Sequence, residues 1–182
     1  MVTFRRLKVA LGAPLRATRR RGHGIHSPFA FDFVRRVIAQ PCRYYVYETM
    51  DSGGSRVRGK LMRLLFRLGL FFSPAEIVTE GDVDSRLMQA LECGVLESGK
   101  TVDGRKILIL APGVMASQET VAEIASAGGV IVWLGMSAAA RHRQQVGCQV
   151  VDVGHGMLFR GATTAVYVGY HKLPCQRFDV WI

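Results

Sequence analysis

Two histidines three residues apart, in "HGIHSPF" (His23 to Phe29), are the first residues whose types could do chemistry. Imidazoles serve as metal ligands and as general bases near neutral pH. No cysteine or acid stands beside His23 and His26 as a third ligand, and the Ser-Pro pair that follows is a helix-start signal. The pair therefore reads as structural hydrogen bonding at a capped turn, and no metal site is expected. "DSGGS" (Asp51 to Ser55) is a second candidate. Gly53, Gly54 and Ser55 precede a helix whose free backbone N–H groups could hold an anion; a plain flexible linker is the equal alternative. The third candidate is charge. Arg56, Lys60, Arg63 and Arg67 recur at i, i+4, i+7 and i+11, which makes one basic stripe on a helix. Such a stripe can lie on an anionic surface, and the commoner reading is the solvated face of a globular domain.

Helices and strands must position these residues. Ser27 and Pro28 begin a helix whose apolar side is Ala30, Phe33, Val34, Val37 and Ile38, ending near Gln40-Pro41. A second helix is expected over 56–72, with Val57, Leu61, Leu64, Leu65, Leu68 and Phe72 inward. After Pro74 the rhythm changes. "EIVTE" reads as a strand, Asp84 as a helix cap, "RKILIL" as a buried strand, Ser117 as another cap, and "GGVIVWLG" as another buried strand. Ser137 opens a short helix, and "CQVVDV" reads as a strand that "GHG" turns back into an antiparallel "MLFR". "TAVYVGY" and "RFDVWI" are candidate edge strands, His155 falls in the turn, and Trp133 at a strand end reads as a core aromatic. Strands alternating with helices argue for an α/β layer structure with a mostly parallel sheet.

Charge is concentrated at one end. Residues 1–60 hold 13 Lys+Arg against 3 Asp+Glu, and residues 61–182 hold 11 of each. Arg19, Arg20 and Arg21 head a basic segment that suits an acidic partner, nucleic acid or an anionic membrane surface. The hydrophobic share of 49% is enough for a core. The four cysteines are far apart without metal-ligand spacing, as in a cytoplasmic protein with reduced thiols. No apolar run is long enough for a membrane-spanning helix. No GxSxG turn or Walker loop occurs.

"HGIHSPFAFDFVRRVI", the "YYVY" patch (Tyr44 to Tyr47) and the short "DSGGS" resemble the N-terminal signature of a branch of class I S-adenosylmethionine-dependent methyltransferases. "GKLMRLLFRLGLFFSPAEIV" is similar to the segment leading into that family's first core strand, and "VVDVGHGMLFRG" to its closing hairpin. The resemblance implies a Rossmann-like, mostly parallel sheet ending in an antiparallel β-hairpin, carrying an N-terminal helical basic extension over 1–55 and a truncated domain over 56–182. It implies methyl transfer from S-adenosylmethionine to a small acceptor, in a site at the carboxyl ends of the strands. Glu80, Gly81 and Asp82 are the cofactor residues it points to, with Gly53, Gly54 and Ser55 beside them. The departures are as informative. The second glycine of the cofactor turn is replaced by Ser85, the later strand ends in Trp133, Leu134 and Gly135 without a carboxylate, and 109 residues after Phe72-Ser73 are short for seven strands. The alternative expectation is a non-catalytic relative whose basic half binds an acidic partner.

Overall fold

The computed structural model describes residues 25–42, 44–51, 56–136, 140–180 and 182. His23, Gly24, the Arg19–Arg21 run, the Gly53-Gly54-Ser55 turn and Ser137 lie outside the described residues. Ser27 opens the first helix, α1 (Pro28–Phe33), and its hydroxyl accepts the Ala30 N–H at 3.3 Å. The helix continues as a π-turn over Val34–Ile38, where the Ala39 N–H reaches back to the Val34 carbonyl at 2.7 Å. A short helix, α2 (Val46–Asp51), precedes α3 (Arg56–Phe72). Then follow β1 (Pro74–Glu80), α4 (Ser85–Ser98), β2 (Val102–Leu110), α5 (Gln118–Ser126), β3 (Val130–Trp133), α6 (Ala140–Val153), β4 (Met157–Arg160), β5 (Ala165–Val168) and β6 (Gln176–Asp179). Asp84 and Ser117 cap α4 and α5 through their side-chain oxygens, as their positions in the sequence led us to expect.

Six strands form one sheet in the order β1-β2-β3-β5-β4-β6. Neighbours β1, β2 and β3 run parallel, as do β4 and β6, and β5 alone runs against both of its neighbours. The mostly parallel α/β sheet with an antiparallel hairpin is thus present, in a Rossmann-like arrangement. Side chains alternate between two cores. Ile107, Ile109, Val130, Val132, Val166 and Phe159 face the layer made by α1, α3 and α4. Leu108, Leu110, Ile131, Trp133, Leu158 and Tyr167 face the layer made by α5 and α6.

The hairpin is not where the sequence reading put it. "CQVVDV" is the end of α6, not a strand, because Val146 and Val150, four residues apart, pack on the sheet. Burial of that helical face outweighs the β preference of a valine-rich hexamer. "MLFR" accordingly leaves a helix and pairs with "AVYV", which lies inside the sheet between β3 and β4 and not at an edge. His155 is half-buried, with its Nε2 at 3.1 Å from the Gly169 carbonyl oxygen. Residues 25–38 share the core of the body: the Phe33 ring, fully buried, stands 4.5 Å from that of Phe159 and 5.8 Å from that of Phe72.

Helices α3 and α4 meet at backbone distance. A side chain at Gly94 would collide with the Phe66 carbonyl, and one at Gly69 with the Leu91 carbonyl. Glycine to alanine inside a helix ordinarily stabilises by about 1 kcal/mol. We expect the opposite sign for Gly94→Ala, a loss of about 1–3 kcal/mol from overpacking, measured by urea denaturation; a gain would show that the helices part freely. The Tyr167 hydroxyl donates to the His155 carbonyl at 2.9 Å. Burial first, and the neighbouring Cys175 second, push its ionisation above the ordinary value near 10. The unfolded chain therefore ionises here at a pH where the folded chain does not. This stability is complete below about pH 10 and is lost as pH rises beyond it. Tyr167→Phe should cost about 1 kcal/mol at neutral pH and flatten the fall in stability above pH 10, read from denaturation curves at several pH values.

Candidate functional site

One row of the sheet ends at the same height. Glu80, Leu110, Trp133, Ala165, Arg160 and Asp179 pair in register across all six strands. Beyond that row, at the carboxyl ends of the parallel strands, opens a cleft of about 720 Å³, within the usual range for a small-molecule site. Its floor is the strand tips: Asp82 and Val83 after β1, Pro112 after β2, Leu134 and Gly135 after β3, and Val180 after β6. One end is the β4–β5 turn with Thr163 and Thr164. Arg143 holds that turn by donating to the Ala162 carbonyl at 2.5 Å and the Met136 carbonyl at 3.2 Å. The facing wall is α3, which contributes Lys60, Leu61, Arg63, Leu64 and Arg67. Ile38 and Gln40, at the exit of the π-turn, complete it, and such turns recur at functional sites.

The basic stripe is therefore not a flat outer face. Lys60 is exposed, whereas Arg63 and Arg67 are half-buried and line the cleft. Behind them sits an aromatic cluster: the Tyr47 ring lies 5.7 Å from that of Phe66 and 5.3 Å from that of Tyr44. The Arg63 guanidinium stacks over Tyr47 at 5.2 Å. Arg67 stands beside the Tyr47 hydroxyl. Neither that hydroxyl nor the Arg67 Nε completes a hydrogen bond by distance and angle, so their attraction is electrostatic. Burial lowers the Arg67 guanidinium from its ordinary range; Tyr47 opposes the shift and the neighbouring Arg63 adds to it. Burial likewise raises the Tyr47 hydroxyl, and Arg67 partly offsets it.

Two acids stand among the described residues of the cleft. Asp84 caps α4 through one oxygen, 3.0 Å from the Arg86 N–H, and pairs through the other with Arg58 at 3.2 Å. Asp82 lines the cleft and is exposed. Among the described residues no ion pair reaches Arg67.

Of the residues expected to hold a cofactor, Asp82 reaches the cleft, while Glu80 and Gly81 do not line it. Gly81 has the left-handed backbone a tight turn needs, with φ +82°. The space its side chain would take is filled by Ala111 and Val114 at 2.8 and 2.7 Å. Gly135 meets Pro112 in the same way, at 2.5 Å. The strand-tip glycines thus let turns pack on one another. Among the described lining residues there is no aromatic ring on which an adenine could stack, and the space beside Gly81 is taken by Ala111 and Val114. His26 is exposed at the start of α1, and Trp133 is fully buried in the core. Among the described residues no group of three His, Cys, Asp or Glu could hold a metal ion, and no helix is long and apolar enough to cross a membrane. Ile38, Gln40, Thr163 and Thr164 carried no functional signal in the sequence, because only the fold brings these two separate turns to one edge.

Comparison of the chain with protein-family models, curated proteins and solved structures finds no match.

A buried guanidinium with no acidic partner destabilises the fold that holds it. Arg67→Met, which keeps the stem and removes the charge, should raise unfolding free energy by about 1 kcal/mol or more, read by urea denaturation. A loss of similar size would show that the Tyr47–Arg67 attraction outweighs burial.

Proposed function

We propose that this chain is a methyltransferase-like fold that binds a small acidic molecule in its carboxyl-edge cleft and does not transfer methyl groups. The observation that carries this reading is the α3 wall, which directs Arg63 and Arg67 into the cleft and leaves Lys60 at its mouth. Two further points support it. The turn at Gly81 packs against Ala111 and Val114, and among the described residues the cleft contains no buried acid or histidine positioned as a general base: of its acids, Asp82 is exposed and Asp84 is engaged. Methyl transfer needs a donor and an acceptor held in line, and the closed glycine turn gives the donor no seat. The resemblance at "HGIHSPFAFDFVRRVI" and the inserted antiparallel strand β5 speak for descent from that family.

A second reading, retained catalysis with S-adenosylmethionine, rests on Asp82 at the tip of β1, where an acid could accept ribose hydroxyls. One titration separates the two. S-Adenosylmethionine and S-adenosylhomocysteine at millimolar concentration should leave the melting temperature unchanged. A micromolar binder at a hundredfold excess over its Kd would add about 2.7 kcal/mol of stability, and a shift of that size would establish the cofactor site and end the non-catalytic reading.

A further inference from the structure

We propose that the occupant of this cleft is an amphipathic anion, with a carboxylate or phosphate head held at Arg67 and an aliphatic body lying on Leu64, Leu87 and Leu134. The inference rests on the binding-protein reading above and names its ligand class.

Three features of the cleft define that class. The first is depth. Arg67 lies two turns along α3 from Lys60, roughly 10 Å at 1.5 Å per residue. Lys60 is exposed and Arg67 is half-buried. Positive charge therefore runs from mouth to interior, attracting an anion at Lys60 and desolvating it at Arg67. The Arg67 side chain lines the cleft, and a planar guanidinium matches the two oxygens of a carboxylate or phosphate.

The second feature is the missing counter-charge. The groups that act on Arg67 among the described residues are Tyr47, Tyr44 and Arg63, two phenols and a like charge. Of the two acids lining the cleft, Asp84 is engaged by the α4 cap and by Arg58, and Asp82 is exposed. An incoming anion supplies the charge that the described neighbours of Arg67 do not.

The third is the character of the walls. Leu64, Leu87 and Leu134 are buried against the core yet border the cleft, and Ile38, Leu61 and Val83 stand with them among its described lining residues. An alkyl chain finds apolar side chains to lie against there.

The experiment uses the full chain and four probes: octanoate, octyl phosphate, octanol and inorganic phosphate, followed by calorimetry and melting temperature. Octanoate and octyl phosphate should both bind, and each about tenfold more tightly than octanol. Inorganic phosphate, which has the head without the body, should bind far more weakly than octyl phosphate. A preference between octanoate and octyl phosphate identifies which head the site takes. Arg67→Met should fold, lose the advantage of octanoate over octanol, and keep octanol binding; Arg67→Lys should recover part of the loss. Octanol binding as tightly as octanoate, or Arg67→Met binding octanoate unchanged, would overturn the proposal. Inorganic phosphate as tight as octyl phosphate would overturn the apolar half of it. S-Adenosylhomocysteine binding in competition with octanoate would instead overturn the non-catalytic reading and leave the anion grip standing.

Discussion

Helix α3 can carry charge into the cleft because its opposite face meets α4 at backbone distance. Gly69 and Gly94 remove the two side chains that would hold the helices apart. Leu65 and Leu68 then reach the sheet-side core, fully buried. With that face committed, the helix has no rotational freedom left. Leu61, Leu64, Arg63 and Arg67, on the flank between core and solvent, are turned toward the strand tips. A wider helix spacing would let α3 roll, and the arginines would reach water by the shortest path, as long cationic side chains do when they can.

The aromatic cluster behind α3 is the second half of that constraint. Tyr47 is 5% exposed, and its phenol acts against the effect of burial on Arg67. The Tyr47 ring face receives Arg63, so one phenol positions two cations, one by its ring and one by its hydroxyl. Removing charge from water without a counter-ion is unfavourable, and stability is commonly surrendered where a site must be ready for a partner. The rest of the fold is well placed to absorb this: two layers of helices seal both faces of a sheet whose central strands are fully buried.

At the strand tips the same economy of space works against a nucleoside. Gly81 and Gly135 allow the turns after β1, β2 and β3 to fold onto one another, through Ala111, Val114 and Pro112. What remains open is the ground between those turns and α3, bounded by leucines, by the threonines of the β4–β5 turn and by the arginines. The cleft stands at the carboxyl edge of the parallel strands, with Asp82, Asp84 and Gly135 beside its leucines and arginines.

The sequence by itself determined the local units. Ser27, Asp84 and Ser117 cap helices where their hydroxyl and carboxylate oxygens suggested, and the aliphatic runs of β2 and β3 are buried strands. These follow from short-range chemistry: a free N–H seeks the nearest side-chain oxygen, and an unbroken apolar run must be covered on both sides. The basic stripe of α3 was also legible as a stripe, since helical spacing is local. Only the tertiary structure decided what the stripe faces, that "CQVVDV" is helical, and that "AVYV" lies inside the sheet. Each of those depends on which surface a distant segment covers. A valine-rich hexamer can satisfy either periodicity until Trp133 and Leu158 offer it a helix-shaped groove, and a row of arginines points to solvent or to a cleft according to where the strand tips, tens of residues away, happen to lie.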